Sequence, residues 1–550
     1  RVGGGTFDRL DGLSLLAPAT TYSSPTPPSS APGKPWWEVG TFYWSQVMGL
    51  NPDDWPYFND VVARPMMARW YQRTLHADAV YLSWHTNGSR GDARGTVSYV
   101  HNGETYPRTP GSLELQAAVH QELVHDIRAG WDPNWTDRGM GQLNLGELRM
   151  LWDESDPAAR IPGVLLEIAF HDNYDDAAAL KEPLFEQLAA RAVYQGIVHY
   201  FEQRDGIDLT LAPEPPTHLR VQNLGGGALR VTWHPSPTDE VGLRGDPPTA
   251  YRVYTSHDGL AWETPMEVTG TSATLEGLTD GETLYVKVTA IKAGGESFPT
   301  EIAGARVGDA RVLLVNGFDK LNRFGLVVDD DPVEGENLRM WIQQINSRDY
   351  IVHHGQAIPI DIPWDSSSNE AVSGGEIDLT DYDVVDWILG EEASEVNGSL
   401  DETEREYLKE FLRTGKSLMI SGSEFGWDLV ELGRDPAFLP TELHTQYVAD
   451  DAETYVARAT SAGALSDLGD VHFDAPDEYD ADYPDILAAA DAGALAAMTY
   501  VGGEGGTAVV QFASGCQRLL VMGFPFETLR QEERPDFMAA AMEFLWPCQI

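Results

Sequence analysis

Two polar residues, His85 and Glu167, stand in apolar, strand-like segments, and both are of types that can take part in hydrolysis. His85 closes the run in "AVYLSWHTNG", and Glu167 lies inside "GVLLEIAF". A neutral imidazole is a good zinc ligand. A carboxyl group held beside a metal-bound water can act first as general base and then as general acid. The two residues are therefore candidates for a hydrolytic site.

The strand context makes both positions unusual. A strand that ends at the carboxyl edge of a sheet presents its last side chain to the crevice where α/β proteins bind ligands, and His85 has this position. Side chains alternate along a strand, so Glu167 must point to one face while Leu166 and Ile168 point to the other. A carboxylate inside such a strand is costly to bury unless it is paired, bound to a ligand or catalytic.

Residues 36–208 predict an α/β domain with a largely parallel sheet, because strand-like and helix-like segments alternate. The segments are "DAVYLSWH", "SLELQAAVHQELVHDIRAG", "GVLLEIAF" and "LFEQLAARAVYQGIVHYFEQRD". Within the first helix-like segment, His120 and His125 are five positions apart, which places them about 140° apart around a helix. We therefore expect them to face solvent rather than to share a zinc ion.

Three separated blocks of this region resemble the zinc-dependent N-acetylmuramoyl-L-alanine amidases of type 3, which cleave peptidoglycan. They are "VYLSWHTNG", "DRGMGQLNLGELRML" and "PGVLLEIAFHDN", in that order. The resemblance extends from about Ala68 to Phe201. The matching residues outside the first block are Arg138, Gly139, Gln142, Leu148, Arg149, Glu167, Phe170 and Asn173.

This resemblance implies roles for the two candidate residues. His85 would be a zinc ligand and Glu167 the catalytic acid and base. The bond cleaved would join the lactyl group of N-acetylmuramic acid to the L-alanine of the stem peptide. The implied cofactor is zinc, no other cofactor is expected, and the implied partner is peptidoglycan.

The sequence departs from the family pattern in front of His85. The family supplies two more zinc ligands there, a His from a Gly-His-Gly turn and a Glu on the next helix. Upstream of His85 the chain offers only His76 and Glu38, and neither has this context. One interpretation is that the complete gene product carries both ligands further upstream; the other is an amidase scaffold that has lost zinc binding.

The remaining segments predict a multidomain chain. Residues 1–35 are Pro- and Ser-rich loop, and "RVGGGTFD" resembles the end of an upstream β module of the golvesin-like kind. Residues 215–307 resemble an all-β fibronectin type III sandwich, through Trp233, Leu278 and Tyr285, the last of which is expected to form the inter-strand corner. Residues 309–550 resemble α/β flavodoxin-like domains of the class I glutamine-amidotransferase kind.

The last domain leaves two interpretations open. The stretch "MISGSEFG" occupies the place of the nucleophilic cysteine turn of those relatives, but it offers only Ser421 and Ser423. A serine in a sharp turn can act as a nucleophile when a histidine and an aspartate flank it, and His353, His354 and His444 are present. We expect a catalytically silent domain, with a hydrolase based on Ser423 as the alternative.

Composition limits the partners. With 86 acidic and 37 basic residues the net charge is −49, which argues against nucleic acid and anionic lipid. Apolar runs are too short for a membrane span. We expect a secreted, extracellular or cell-envelope protein whose chain starts after a removed segment, and Cys516 and Cys548 could be bonded or free. A surface or matrix protein with a vestigial amidase scaffold is the non-enzymatic alternative.

Overall fold

The computed structural model describes residues 60–75, 78–239, 241–320, 326–331, 335–340, 346–393, 398–475 and 478–546, with Thr41, Ser45 and Met48. Within these residues the chain forms two compact units. The first is built from residues up to Leu211 together with Asp239–Leu243 and Leu326–Met340, and the second from Ala212–Thr238, Arg244–Gly325 and Trp341–Ile550. The predicted loop and β-module end at residues 1–35, and Cys548, lie outside the described residues.

Among the described residues, the first unit contains a four-stranded sheet and the helices that pack around it. The sheet has the order β1-β4-β2-β3, with β1 parallel to β4, β2 parallel to β3, and β2 antiparallel to β4. Its strands are β1 Tyr81–Asn87, β2 Thr96–His101, β3 Asp137–Leu143 and β4 Gly163–Phe170. The helices are α1 Asp60–Leu75, α2 Ser112–Gly130, α3 Gly146–Arg149, α4 Tyr174–Leu180 and α5 Pro183–Asp205.

The core of this unit lies between β4 and the pair of long helices α2 and α5. Leu123 of α2, Leu166 of β4 and Phe185 of α5 are buried together. The helices approach closely at Gly196, where an added Cβ would lie 2.7 Å from the Cα of Val119. Only glycine permits that approach, and the packing holds β4 in the middle of the domain.

The second unit begins with the antiparallel strands of a β-sandwich. Trp233, Val231 and Val288 are among its buried core residues. The strands are β5 Thr217–Gly225, β6 Ala228–His234, β7 Ala250–Ser256, β8 Met266–Val268, β9 Ser272–Glu276, β10 Thr283–Lys292, β11 Gly295–Glu296 and β12 Ala303–Arg306. Tyr285 is fully buried, but its hydroxyl donates to the carbonyl of Val352, 3.5 Å away, in the following domain. The expected corner within the sandwich is therefore replaced by a contact between domains.

A second sheet region follows, with five parallel strands in the order β16-β13-β17-β18-β25. Their bounds are β13 Val312–Asn316, β16 Trp364–Ser368, β17 Val384–Gly390, β18 Ser417–Gly422 and β25 Gln517–Met522. Antiparallel strands extend it beyond β25: β19 Thr445–Ala449, β20 Val456–Ala459, β21 Asp470–His472, β22 Ile486–Ala489, β23 Ala494–Tyr500 and β24 Thr507–Ser514.

Helices cover this sheet. They are α6 Tyr350–Ala357, α7 Asn369–Ser373, α8 Glu402–Arg413, α9 Phe425–Val430, α10 Phe438–Glu442 and α11 Arg534–Leu545. The hairpin of β14 Leu326–Asp331 and β15 Gly335–Met340 belongs to the first unit. Helix α8 begins with a capping box between Asp401 and Glu404. None of the described helices has the length and apolarity that a membrane crossing requires.

The β-sandwich and the parallel sheet are joined by strand pairing. β5 pairs antiparallel with the edge strand β16, through Arg220 with Ser367 and Val221 with Ser366. The buried guanidinium of Arg306, at the end of β12, donates to backbone carbonyls at the end of α6 and beyond, among them that of Gly355. The edge of the sheet is therefore covered by the sandwich.

Candidate functional site

The pairing of β1 with β4 brings the two predicted site residues together. His85 and Glu167 are direct register partners across these parallel strands. Paired residues on neighbouring strands point to the same face, and the strands lie about 4.8 Å apart. Glu167 is also the one position of β4 that is not fully buried. The imidazole and the carboxyl group therefore share one face of the sheet.

A third side chain, Glu147, completes the cluster. It comes from the four-residue helix α3, and its Oε1 lies 3.6 Å from Nε2 of His85. The side chains of His85 and Glu147 are 31% and 11% exposed, so solvent reaches the imidazole more than the carboxylate. The Oγ of Ser83, two residues before His85 on β1, lies 2.9 Å from the same Nε2.

The environment shifts the pKa of both predicted residues. Burial, and next the negative charge of Glu147, raise the pKa of Glu167. Burial lowers the pKa of His85, with Arg64 acting in the same direction and Glu147 against it. His85 therefore favours the neutral form that can bind a metal, and Glu167 holds its proton more strongly than an exposed glutamate does.

One oxygen of Glu167 has unused hydrogen-bonding capacity. Its Oε2 is buried and accepts no hydrogen bond from any residue that the structure describes. Burying a carboxylate oxygen without a hydrogen-bond partner lowers the stability of the folded state. A role in binding or catalysis would explain why this atom is nevertheless buried without a partner.

The loops after β1 and β4 are tied to each other beside this cluster. The carboxylate of Asp172 accepts hydrogen bonds from the backbone N–H groups of Ser89, Arg90 and Gly91. His171, in the same loop, lies with its Nδ1 3.1 Å from Oγ1 of Thr86. These contacts order the rim of the site, and His171 is an exposed rim residue.

Two residues of the preceding block, Arg138 in β3 and Leu148 in α3, support the same region. Arg138 lies over the ring of Phe170, at 5.2 Å from its centroid. Leu148, next to Glu147, is buried. The block "DRGMGQLNLGELRML" thus supplies Glu147, which the sequence analysis did not single out. Its one sequence signal was its place inside a block that resembles the amidases, because a helix of four residues shows no periodicity.

The donor atoms fit part of a zinc site. Two ligands of a tetrahedral zinc ion lie about 3.3 Å apart, since each is about 2.0–2.1 Å from the metal. The distance from His85 Nε2 to Glu147 Oε1 is close to this value. Across the described ranges, however, no third His, Cys, Asp or Glu completes a compact group with these two atoms. His85 and Glu147 would therefore supply part of a ligand set.

The structure overturns one further sequence expectation and decides one alternative that the sequence left open. His120 is buried, with its Nε2 2.9 Å from Oδ1 of Asp137, so the expectation that it faces solvent is wrong. His125 is exposed, and the prediction that the two histidines lie on different faces is confirmed. Cys516 is disulfide-bonded, which removes the free-thiol alternative for this residue.

The serines of the last domain lack a catalytic arrangement. Ser421 and Ser423 are buried, and their Oγ atoms have no hydrogen-bond partner among the described residues. His354 is bound instead to Asp386 and Glu527, and His444 to Asp491. The residue with the left-handed turn conformation is Glu424, with a φ of 59°. These contacts favour the silent domain over a hydrolase based on Ser423.

Comparison with known proteins identifies two of the domains. Residues 54–199 match the family of N-acetylmuramoyl-L-alanine amidases. Residues 214–304 match the fibronectin type III domain. The chain therefore contains a domain of the amidase family, followed by a fibronectin type III domain. The amidase match includes the strands that carry His85 and Glu167.

Individual relatives match over short segments. An uncharacterized cell wall amidase of Bacillus anthracis is 30% identical over 126 residues, which cover 22% of this chain and 21% of the relative. The chain thus spans about a fifth of that relative. The N-acetylmuramoyl-L-alanine amidase of Clostridium difficile 630 aligns over 30% of this chain and 82% of its own, at 18% identity and a TM-score of 0.21. The FN5 domain of Drosophila Lar aligns over 18% of this chain and 100% of its own, at 14% identity and a TM-score of 0.15.

Proposed function

We propose that this protein is a peptidoglycan hydrolase that cleaves the amide between the lactyl group of N-acetylmuramic acid and L-alanine. The observation that carries the proposal is the pairing of His85 with Glu167 on one face of the sheet, with Glu147 beside them. The family match at residues 54–199 supports the amide specificity. The relative named as a cell wall amidase supports peptidoglycan as substrate and a secreted or cell-envelope location.

In this proposal His85 is a zinc ligand and Glu147 a further donor. When bound, zinc would act as a Lewis acid toward the amide carbonyl and the attacking water. Imidazole and carboxylate are both ordinary zinc ligands. The hydroxyl of Ser83 contacts this same Nε2 of His85, so its hydrogen bond to the ring would give way when zinc is bound there.

Glu167 carries the proton in both directions. Its carboxylate takes a proton from water during attack on the carbonyl and returns it to the departing amine of L-alanine. A general base works best when its pKa approaches the working pH, and burial together with the charge of Glu147 raises the pKa of Glu167 in that direction. The buried Oε2 of Glu167 has no hydrogen-bond partner among the described residues, so this oxygen is available to hold the transferred proton.

For the rest of the chain we propose the boundaries 36–208, 215–307 and 309–550. The last segment is inferred to be a flavodoxin-like domain without catalytic activity. Its five parallel strands run in the order second, first, third, fourth, fifth along the chain, which is the flavodoxin-like order and supports this assignment.

The function is tested by digestion of purified peptidoglycan with the full-length protein in the presence of zinc. We expect release of stem peptides with new N-terminal alanine amines and glycan chains with intact lactyl groups, both identified by mass spectrometry. The His85→Ala variant should lose the activity and bind less zinc. A protein that neither binds zinc nor releases alanine amines would overturn the proposal in favour of the vestigial scaffold.

A further prediction concerns Glu147. The Glu147→Gln variant removes a negative charge that raises the pKa of Glu167, so the acidic limb of the kcat/KM profile should move to lower pH. Glu147 is also a proposed donor, and the loss of an outer partner alone costs about 10–100-fold in metal affinity, so zinc affinity should fall by at least about tenfold. Titration with zinc and pH profiles at saturating zinc separate the two effects.

The matched control is Glu154→Gln, which neutralises an exposed carboxylate of the same unit. It should leave both measurements unchanged. A Glu147→Gln profile that superimposes on that of the parent would contradict the electrostatic role of Glu147, whatever the zinc affinity.

A further inference from the structure

A group of side chains of the types that can bind metals lies far along the chain from the amidase domain, where the fibronectin sandwich meets the parallel sheet. His218, His234 and Glu376 each offer one ligand atom, and these atoms lie within 4.8 Å of one another. The Nε2 of His234 is 2.8 Å from Oε1 of Glu376. The rings of the two histidines are stacked, with centroids 3.9 Å apart. All three residues belong to the second unit.

A β-bulge brings the two imidazoles to one face. Thr217 pairs with His234, but by Arg220 the register between β5 and β6 has shifted by one residue. In a regular strand Thr217 would share a face with Leu219, which is buried in the sandwich core. Because the bulge adds one residue, the side chain of Thr217 need not point to the same face as that of Leu219. His218 lies in the bulge and adopts a φ of 57°. Bulges re-aim side chains, and here the result is a stack of His218 on His234.

The hydrogen bonds of His218 leave one nitrogen available. Its Nδ1 lies 2.9 Å from Oγ1 of Thr217. If Nδ1–H donates to this hydroxyl, Nε2 carries the lone pair, and the hydroxyl fixes the ring as an outer partner of a metal-binding histidine does.

Glu376 is folded back toward the histidines by a tight turn. Gly374 and Gly375 precede it, and an added Cβ at Gly374 would lie 2.4 Å from Oε2 of Glu376. Gly375 has a φ of 76°. The Oε2 atom is buried, and within the described part of the chain it has no hydrogen-bond partner. The carboxylate thus contacts His234 through Oε1, and its Oε2 is available to bind a further partner.

Charged side chains surround His218. Glu370 and Glu376 lie near it, as does Arg220. The two glutamates carry two negative charges and Arg220 carries one positive charge. The guanidinium of Arg220 donates a hydrogen bond to the carbonyl of His218. A cation with an affinity for imidazole nitrogen would meet a net negative environment.

We infer that His218, His234 and Glu376 bind a divalent transition-metal ion of the zinc class at this junction. Two imidazoles and one carboxylate select such an ion over Mg²⁺ and Ca²⁺, which prefer all-oxygen sites. The stacked rings must rotate for their nitrogens to converge, and the second torsion of histidine is soft. A water molecule would complete four-coordination. The inference does not depend on the amidase activity.

Binding at this place would join the two domains. His218 and His234 belong to the sandwich, and Glu376 lies in the turn after α7, which follows strand β16 of the parallel sheet. Because the metal binds the folded state, zinc at about a hundred times its Kd should raise the Tm of the second unit by about 3–5 °C.

The test uses the full chain with His85→Ala, so that the amidase site contributes little zinc. We expect zinc to bind and to raise the Tm measured by calorimetry. Adding Glu376→Gln or His218→Asn should weaken zinc binding at least tenfold and remove the rise in Tm. Asn is chosen because it tolerates the left-handed backbone of His218. His257→Ala, which removes an exposed histidine of the same sandwich, is the control and should change neither value.

X-ray absorption spectroscopy of the zinc-loaded His85→Ala chain provides a readout that needs no further variant. Two imidazole ligands on zinc are expected. A spectrum with one or none, or retention of affinity and of the Tm rise in Glu376→Gln and His218→Asn, would overturn the inference.

Discussion

Replacement of Glu167 by glutamine is expected to reduce the release of alanine amines from peptidoglycan by a factor of about 10²–10⁴. Glutamine preserves the shape of the side chain but cannot carry the proton. The position of Glu167 opposite His85 on β4 should be retained, so zinc binding through His85 should change little. The measurement is the initial rate of amine release at saturating zinc.

The stability of this variant separates catalysis from folding. Burial disfavours the charged form of Glu167, since it raises the pKa of this carboxyl group. A neutral amide at this place should therefore leave the Tm equal to that of the parent or higher. If Glu167→Gln folds normally and retains activity within a factor of about five, the proton-transfer role of Glu167 is wrong.

The second large effect is expected in the last domain, at His354. This residue, Asp386 and Glu527 are all fully buried. Nδ1 of His354 lies 2.7 Å from Asp386 Oδ2, and Nε2 lies 3.4 Å from Glu527 Oε2. His354→Ala leaves two buried carboxylates without their cation, which should lower the free energy of unfolding by about 3–5 kcal/mol. Chemical denaturation measures this loss.

The pH dependence of that loss identifies its cause. The two carboxylates raise the pKa of His354 to about 9 despite its burial. Contact with His354 lowers the pKa of Glu527, although burial acts in the opposite direction. The stabilisation from the charged histidine is complete below the pKa of about 6.5 that histidine has in the unfolded chain, and it is lost as the pH rises through about 9. The difference between parent and variant should therefore be large near pH 6 and shrink toward pH 9.

A second substitution checks the explanation. In the His354→Ala background, Asp386→Asn removes one of the two buried carboxylates that have lost their cation. This substitution should recover part of the lost free energy of unfolding. His257→Ala is the matched single variant and should remain within about 0.5 kcal/mol of the parent. A pH-independent loss in His354→Ala would point to a packing defect instead of an ion pair.

The elements with strong periodicity could be predicted from the sequence. The segments proposed for α2 and β4 agree with the observed bounds Ser112–Gly130 and Gly163–Phe170. In β4, the alternation of side chains also predicted that Glu167 would point to the opposite face of the sheet from Leu166 and Ile168. These features depend on local patterns of side chains, which the sequence displays directly.

Features that depend on pairing between distant segments could not be predicted. Glu147 reaches His85 from a helix of four residues, and the direction of so short an element is set by its neighbours. The bulge at His218 has no glycine or asparagine to mark it. Likewise, the hydroxyl of Tyr285 donates across the domain boundary instead of within the sandwich, because β5 and β16 form one sheet.

The continuous pairing of β5 with β16 also affects how the end of the fibronectin domain should behave toward proteases. A domain joined by a flexible linker is readily released by proteolysis, because the linker can bind in a protease cleft as an extended strand. Here Val307 is buried, β12 ends at Arg306 and β13 starts at Val312. The connection between β12 and β13 is part of the folded structure that joins the two domains. We therefore expect the two domains to survive digestion as one fragment.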